Sequence, residues 1–180
     1  GQQYTPHCRY CPGTYGRRKS KRAVYASNYA EAVAAMGYSD EWDKYDICEE
    51  IYSSFKLYSN GPIIMVNVLD PTKHLKGAET VEKTLAGGIT ELPYEAVSNT
   101  VEVKGYDGED SLTEAYTRGE DYDLFYTDGV LRLERIESGK IKADNARLNI
   151  KFNSVDPSKV TKKEIIGGYD TNTNKSSGLS

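Results

Sequence analysis

Two histidines and three cysteines in 180 residues leave little from which to build a nucleophile with its base, or a metal cage. His7 lies in an N-terminal arm and His74 in a connecting segment. No G-x-S-x-G or comparable nucleophile motif accompanies either, so His74 reads as a surface histidine rather than a general base. Three cysteines are too few for a disulfide framework. Cys8 and Cys11 form a C-x-x-C, but a four-ligand zinc site would need Cys48 and His74 from distant stretches, whereas zinc sites usually come as two close pairs; the pair reads as exposed thiols. Gly87-Gly88 and Gly167-Gly168 lack the G-x-G-x-x-G and Walker spacings, which removes a phosphate cradle. Asp107-Gly108-Glu109-Asp110 lacks the alternating oxygen ligands of an EF-hand loop and reads as an acidic turn rather than a calcium site. No apolar run approaches the roughly 20 residues that span a bilayer, and there is no hydrophobic signal-peptide core. Together these absences argue against an enzyme. No catalytic, cofactor-binding or metal residue is assigned and no cofactor is expected. The chain reads as soluble and cytoplasmic when made, with no membrane partner.

The net charge is small, but it is unevenly spread. Lys and Arg number 23 against 27 Asp and Glu. Residues 1–22 carry six basic groups and no acid, which leaves residues 23–180 with 17 against 27 and a formal charge of −10. A nucleic-acid partner for the main body is therefore not expected. The first 22 residues, with Pro6, Pro12, Gly13, Gly16 and the run Arg17-Arg18-Lys19-Ser20-Lys21-Arg22, follow neither a strand nor a helix period and read as a basic, flexible arm. Its basic run could meet nucleic acid or acidic protein, although a solvated linker is the commoner meaning. Fifteen Tyr against three Phe and one Trp tilt the aromatics toward amphipathic side chains, suited to interfaces or half-buried strands.

The stretch that organises the chain runs from Trp42 to Pro71. Tyr45, Cys48, Tyr52 and Phe55 recur at helical spacing and predict one buried face, with Lys44, Glu49, Glu50 and Lys56 off it. Asp40, Glu41 and Asp43 suit a helix N-terminus, and Ser59-Asn60-Gly61-Pro62 supplies a stop. The run Ile63 to Leu69 is nearly continuous in apolar character, as expected of a strand covered on both faces, and predicts the central strand of an α/β sheet. Upstream, Ala23 to Ala26 is a short strand, and Asn28 with Glu31 has capping-box spacing for a helix from Tyr29 to Met36 that ends at Gly37. The expected unit is β-α-α-β, its two strands parallel with a right-handed crossover.

After Pro71 the pattern shortens and alternates. Strands are predicted over Val81–Leu85, Ile89–Leu92, Thr100–Lys104, Tyr122–Tyr126, Val130–Ile136 and Arg147–Phe152, with an Asp128-Gly129 hairpin. This is an antiparallel sandwich or small barrel inserted over residues 74–155 into an α/β part made of residues 23–73 and 156–180. The near-copies Asp70-Pro71-Thr72-Lys73 and Asp156-Pro157-Ser158-Lys159 are its stems. The overall class is α+β. Thr161 and Glu164 have capping-box spacing for a short helix through Ile166 that stops at Gly167-Gly168, and the polar tail from Thr171 to Ser180 has no core to join.

Three stretches carry a family resemblance: Tyr29 to Trp42; Pro62-Ile-Ile-Met-Val-Asn-Val-Leu-Asp-Pro-Thr-Lys-His74; and Asp156 to Thr161 with Ile165-Ile-Gly-Gly-Tyr-Asp170. Over residues 23–180 the chain resembles the tail sheath protein of contractile phage tails and related bacteriocin particles. The resemblance implies a structural virion subunit that stacks as rings around a tail tube and contracts without hydrolysing nucleotide. Its partners would be other copies of itself and the tube protein, and its place the virion tail after assembly in the host cytoplasm. Residues 1–22 do not match the family's opening, and the family continues past Leu179. The chain therefore reads as an N-terminal and middle fragment, monomeric by itself. The rival reading is an adhesin-like binding module in which exposed Tyr116, Tyr122 and Tyr126 of the β-rich insertion stack on a sugar or host surface.

Overall fold

The computed structural model describes residues 23–36, 38, 40, 42–43, 46–127, 129–161, 168–170 and 175–177. The basic arm, the stop at Gly37, the side chains of Lys44 and Tyr45, and the short helix after Thr161 lie outside the described residues. These residues form few helices and several antiparallel sheets, a mixed, mostly β structure. They gather into two compact units: residues 75–155, and the described residues on either side of them.

In the flanking unit, β1 (Ala23–Ala26) leads into α1 (Tyr29–Met36). The cap forms as the spacing predicts. Asn28 Oδ1 accepts the Glu31 N–H at 3.0 Å, meeting one orphan donor of the helix start, and the Glu31 carboxylate reaches one residue beyond the cap to accept the Ser27 N–H at 2.7 Å. Ala32, Ala35 and Met36 are buried. Helix α2 (Asp46–Tyr52) continues into a π-helical turn, Ser53–Leu57, closed by the Tyr58 N–H on the Ser53 carbonyl. The chain then enters β2 (Ile63–Val66).

Three expectations for this unit are corrected. The first concerns strand direction: β1 and β2 pair antiparallel, in the register Ala23↔Val66 to Ala26↔Ile63, so no parallel crossover forms. One helix between two strands returns the chain to its starting end. Here α1, α2 and the π-helical turn intervene before β2, and the pair forms antiparallel. The second concerns the helix face. The buried residues of α2 are Ile47, Cys48 and Ile51, while Tyr52 and Phe55 are only half-buried. The i→i+5 bonding after Tyr52 breaks the 3.6-residue phase, so a face extrapolated to Phe55 drifts off the core.

The third concerns the apolar run. It is not a central strand covered on both faces. Ile64 is 62% exposed, and β2 pairs only with β1 among the described residues. Asn67 ends the strand by accepting the Leu69 N–H on its side-chain oxygen at 3.1 Å, a local bond that competes with the ladder. Val68 and Leu69 are buried beyond it, outside the sheet. The tail also differs. β9 (Gly168–Asp170) pairs antiparallel with β10 (Lys175–Ser177), a strand that the sequence reading of the polar tail did not include.

Residues 75–155 contain all six predicted strands: β3 (Glu79–Thr84), β4 (Ile89–Pro93), β5 (Glu102–Lys104), β6 (Tyr122–Thr127), β7 (Val130–Arg135) and β8 (Arg147–Phe152). They make two three-stranded antiparallel sheets, ordered β3-β8-β5 and β4-β7-β6, and no barrel closes among the described residues. The alternation read from the sequence does its work here. Leu148, Ile150 and Phe152 of β8 and Val103 of β5 join Leu92 of β4, Tyr122 and Leu124 of β6, and Leu131 and Leu133 of β7 in one buried cluster. On the other face of β8, Arg147 pairs with Glu82 and Asp110 and lies 3.8 Å over the Tyr106 ring, while the Tyr106 hydroxyl donates to Glu82.

Two glycine requirements pin this unit. Gly87 and Gly88 take φ of 60° and 80° in a two-residue turn closed by reciprocal bonds between Ala86 and Ile89; positive φ at both positions is the type I′ form, which favours glycine at each. Gly139 lies so close to Asp121 that an added Cβ would fall 2.5 Å from the Asp121 Cα and 2.6 Å from the Glu120 carbonyl. Asp121 itself is buried. Its carboxylate accepts the N–H groups of Thr117 and Lys140, each at 2.8 Å, and its carbonyl accepts the Ile136 N–H. Along the free edge of β6, the Tyr122 carbonyl accepts the Gly119 N–H at 2.7 Å and the Leu124 carbonyl accepts the Arg118 guanidinium at 3.0 Å. The Leu124 N–H donates to the Asp123 carboxylate at 2.8 Å.

Candidate functional site

The near-copied Asp-Pro segments fold into near-copied turns. In the first, Asp70 Oδ1 accepts both the Thr72 N–H at 2.9 Å and the Thr72 hydroxyl at 2.6 Å, and the Asp70 carbonyl accepts the Lys73 N–H at 3.0 Å. In the second, Asp156 Oδ1 accepts the Ser158 N–H at 3.1 Å and the Ser158 hydroxyl at 2.5 Å, and the Asp156 carbonyl accepts the Lys159 N–H at 3.1 Å. The sequence dictates this. Asp bonds its own backbone two residues on, Pro presets φ at the next position, and a hydroxyl at the third adds a second donor to the same oxygen. Burial alone would raise the Asp70 carboxyl, but the hydroxyl and N–H of Thr72 and the nearby Lys73 charge outweigh it and hold its pKa below the ordinary value.

The turns meet at His74. Its Nδ1 accepts the Asp70 N–H at 2.9 Å, which leaves the neutral ring's proton on Nε2, and its carbonyl accepts the Asp156 N–H at 2.7 Å. His74 is buried, 3% exposed, so the expectation of a surface histidine is corrected: the turn needs an acceptor inside it, and the imidazole supplies one. One residue further along, Leu75 bridges to Val155, and the Lys76 N–H bonds the Ser154 carbonyl. The first and last residues of the 75–155 segment are thus neighbours.

The second feature is an apolar surface on the β1–β2 pair. Tyr25 and Ile64 are cross-strand partners and each is 62% exposed. Tyr25 also borders an open groove with Tyr29, Phe55 and Pro62, where the Lys56 ammonium sits 4.5 Å over the Tyr29 ring. No single residue in the sequence announced this face, because the nearly continuous apolar run Ile63 to Leu69 reads as a strand buried on both sides.

The remaining sequence candidates are not brought together. His7, Cys8 and Cys11 lie outside the described residues, and Cys48 is buried. Gly167 is likewise outside, and Gly168 opens β9. Asp107 spends Oδ1 on the N–H groups of Glu109 and Ser111. The tyrosine platform is corrected outright. Tyr122 is 3% exposed, and Tyr116 and Tyr126 pack against the buried cluster. The Tyr126 hydroxyl donates to the Ala96 carbonyl at 2.6 Å and accepts the Ser98 N–H at 3.1 Å; burial pushes its pKa up to about 12. These rings fall on the inward positions of β6, or in Tyr116's case against the end of β5, so their faces serve the core.

Comparison with known proteins supplies what the site chemistry does not. Over 115 residues, 63% of the chain, the sequence is 35% identical to the tail sheath protein of Burkholderia phage BcepMu. The chain is similar to a phage tail sheath protein. The resemblance read from the sequence is thereby matched by a curated phage protein. The matched stretch spans 23% of that relative's length. No family model matches the chain, and no solved structure matches it.

Proposed function

We propose that this chain is part of a structural, non-enzymatic subunit of a contractile tail sheath. Copies of the whole protein would stack as rings around a tail tube and shorten on triggering, with the energy held in their packing rather than in a cofactor. The observation that carries this reading is the 35% identity over 63% of the chain to a tail sheath protein. The partners on this reading are further copies and the tube protein, and the place is the virion tail, reached from the host cytoplasm.

We further infer that residues 75–155 are an inserted β-sandwich that folds by itself, because its strands are contiguous, its ends adjoin through Leu75 and Val155, and it holds its own buried cluster. By itself the 180-residue chain should be monomeric in dilute solution. Immunogold labelling with antibodies against the purified chain tests the assignment: label along the whole sheath of intact tails is expected, and label confined to fibres, baseplate or capsid would overturn it. Expressing residues 75–155 alone tests the insertion: cooperative melting of that segment is expected, and a non-cooperative transition would refute an autonomous insert.

A further inference from the structure

We draw no further inference here: the strongest candidate, the open apolar face of the β1–β2 pair where Tyr25 lies across from Ile64 beside the groove lined by Phe55 and Pro62, is an unpartnered surface, and nothing in the structure shows what covers it.

Discussion

The two units solve the same problem, burying one face of a small sheet, to different degrees. Residues 75–155 place three strands against three, and the side chains between them, Phe152, Ile150, Leu131 and Leu133 among them, are fully buried. Among its described residues the flanking unit has two separate two-stranded pairs, β1–β2 and β9–β10, and the first, with α1 and α2 in the same unit, leaves Tyr25 and Ile64 in solvent. A lone two-stranded pair is marginal in water, and three or more strands with a shared apolar face bury far more. The difference teaches where burial is concentrated: between the two sheets of residues 75–155 rather than on the described β1–β2 pair.

The sharpest way to break that contrast is to empty the better core. Phe152→Ala should cost about 3–5 kcal/mol through lost burial and a cavity. Phe55→Ala, at a half-buried position, should cost clearly less, and chemical denaturation of the two variants gives the order. An equal loss would mean that the flanking unit is as tightly packed as the insert.

Gly139→Ala comes next. Both of its nearest neighbours are backbone atoms that cannot swing away, so the added methyl should cost about 1–3 kcal/mol. Hydrogen exchange should show faster opening of the segment around Asp121 while α1 is unaffected. Asp121 gives a pH test of the same joint. The N–H groups of Thr117 and Lys140 hold its carboxyl below the ordinary value against the opposing effect of burial. Because the folded pKa is the lower one, its contribution is present above the unfolded carboxyl range and is lost as pH falls through the folded value. Asp121→Asn should therefore reduce stability at pH 7 and flatten the acid limb of a urea-midpoint profile between pH 7 and pH 2. An unchanged profile would remove Asp121 from the account.

Smaller effects test the twin turns. Thr72→Val and Ser158→Ala each delete one hydroxyl bond to an aspartate, at about 1 kcal/mol apiece. Similar losses are expected in thermal melts, since the geometry is shared. Least of all, Ile64→Thr should change stability by no more than about 0.5 kcal/mol, because the side chain it replaces is already largely in water.

Periodicity found what local pattern governs. All six strands of the insert were legible because polar and apolar residues alternate through Leu131-Arg132-Leu133 and Leu148-Asn149-Ile150, and the α1 cap was legible because Asn28 and Glu31 act within one turn. The duplicated Asp-Pro turns were visible as a repeat, although the buried His74 joining them was not, since its role depends on a segment some eighty residues away. Strand direction in the flanking unit was misread because pairing sense depends on tertiary packing that local periodicity does not carry. The α2 face was misread because a π turn leaves no mark on a helical wheel. The sheath resemblance came from long matching stretches and not from site chemistry, which supplied almost nothing.

A bare backbone border on a β-sheet is an invitation to any passing strand. On β6 that invitation is withdrawn. A guanidinium from Arg118, an amide from Gly119 and the carboxylate of Asp123 already occupy the groups of Tyr122 and Leu124 that a newcomer would have to engage. A strand seeking those three groups would have to displace contacts already made within the same unit, so the middle of this border is closed by residues that lie beside it in the sequence.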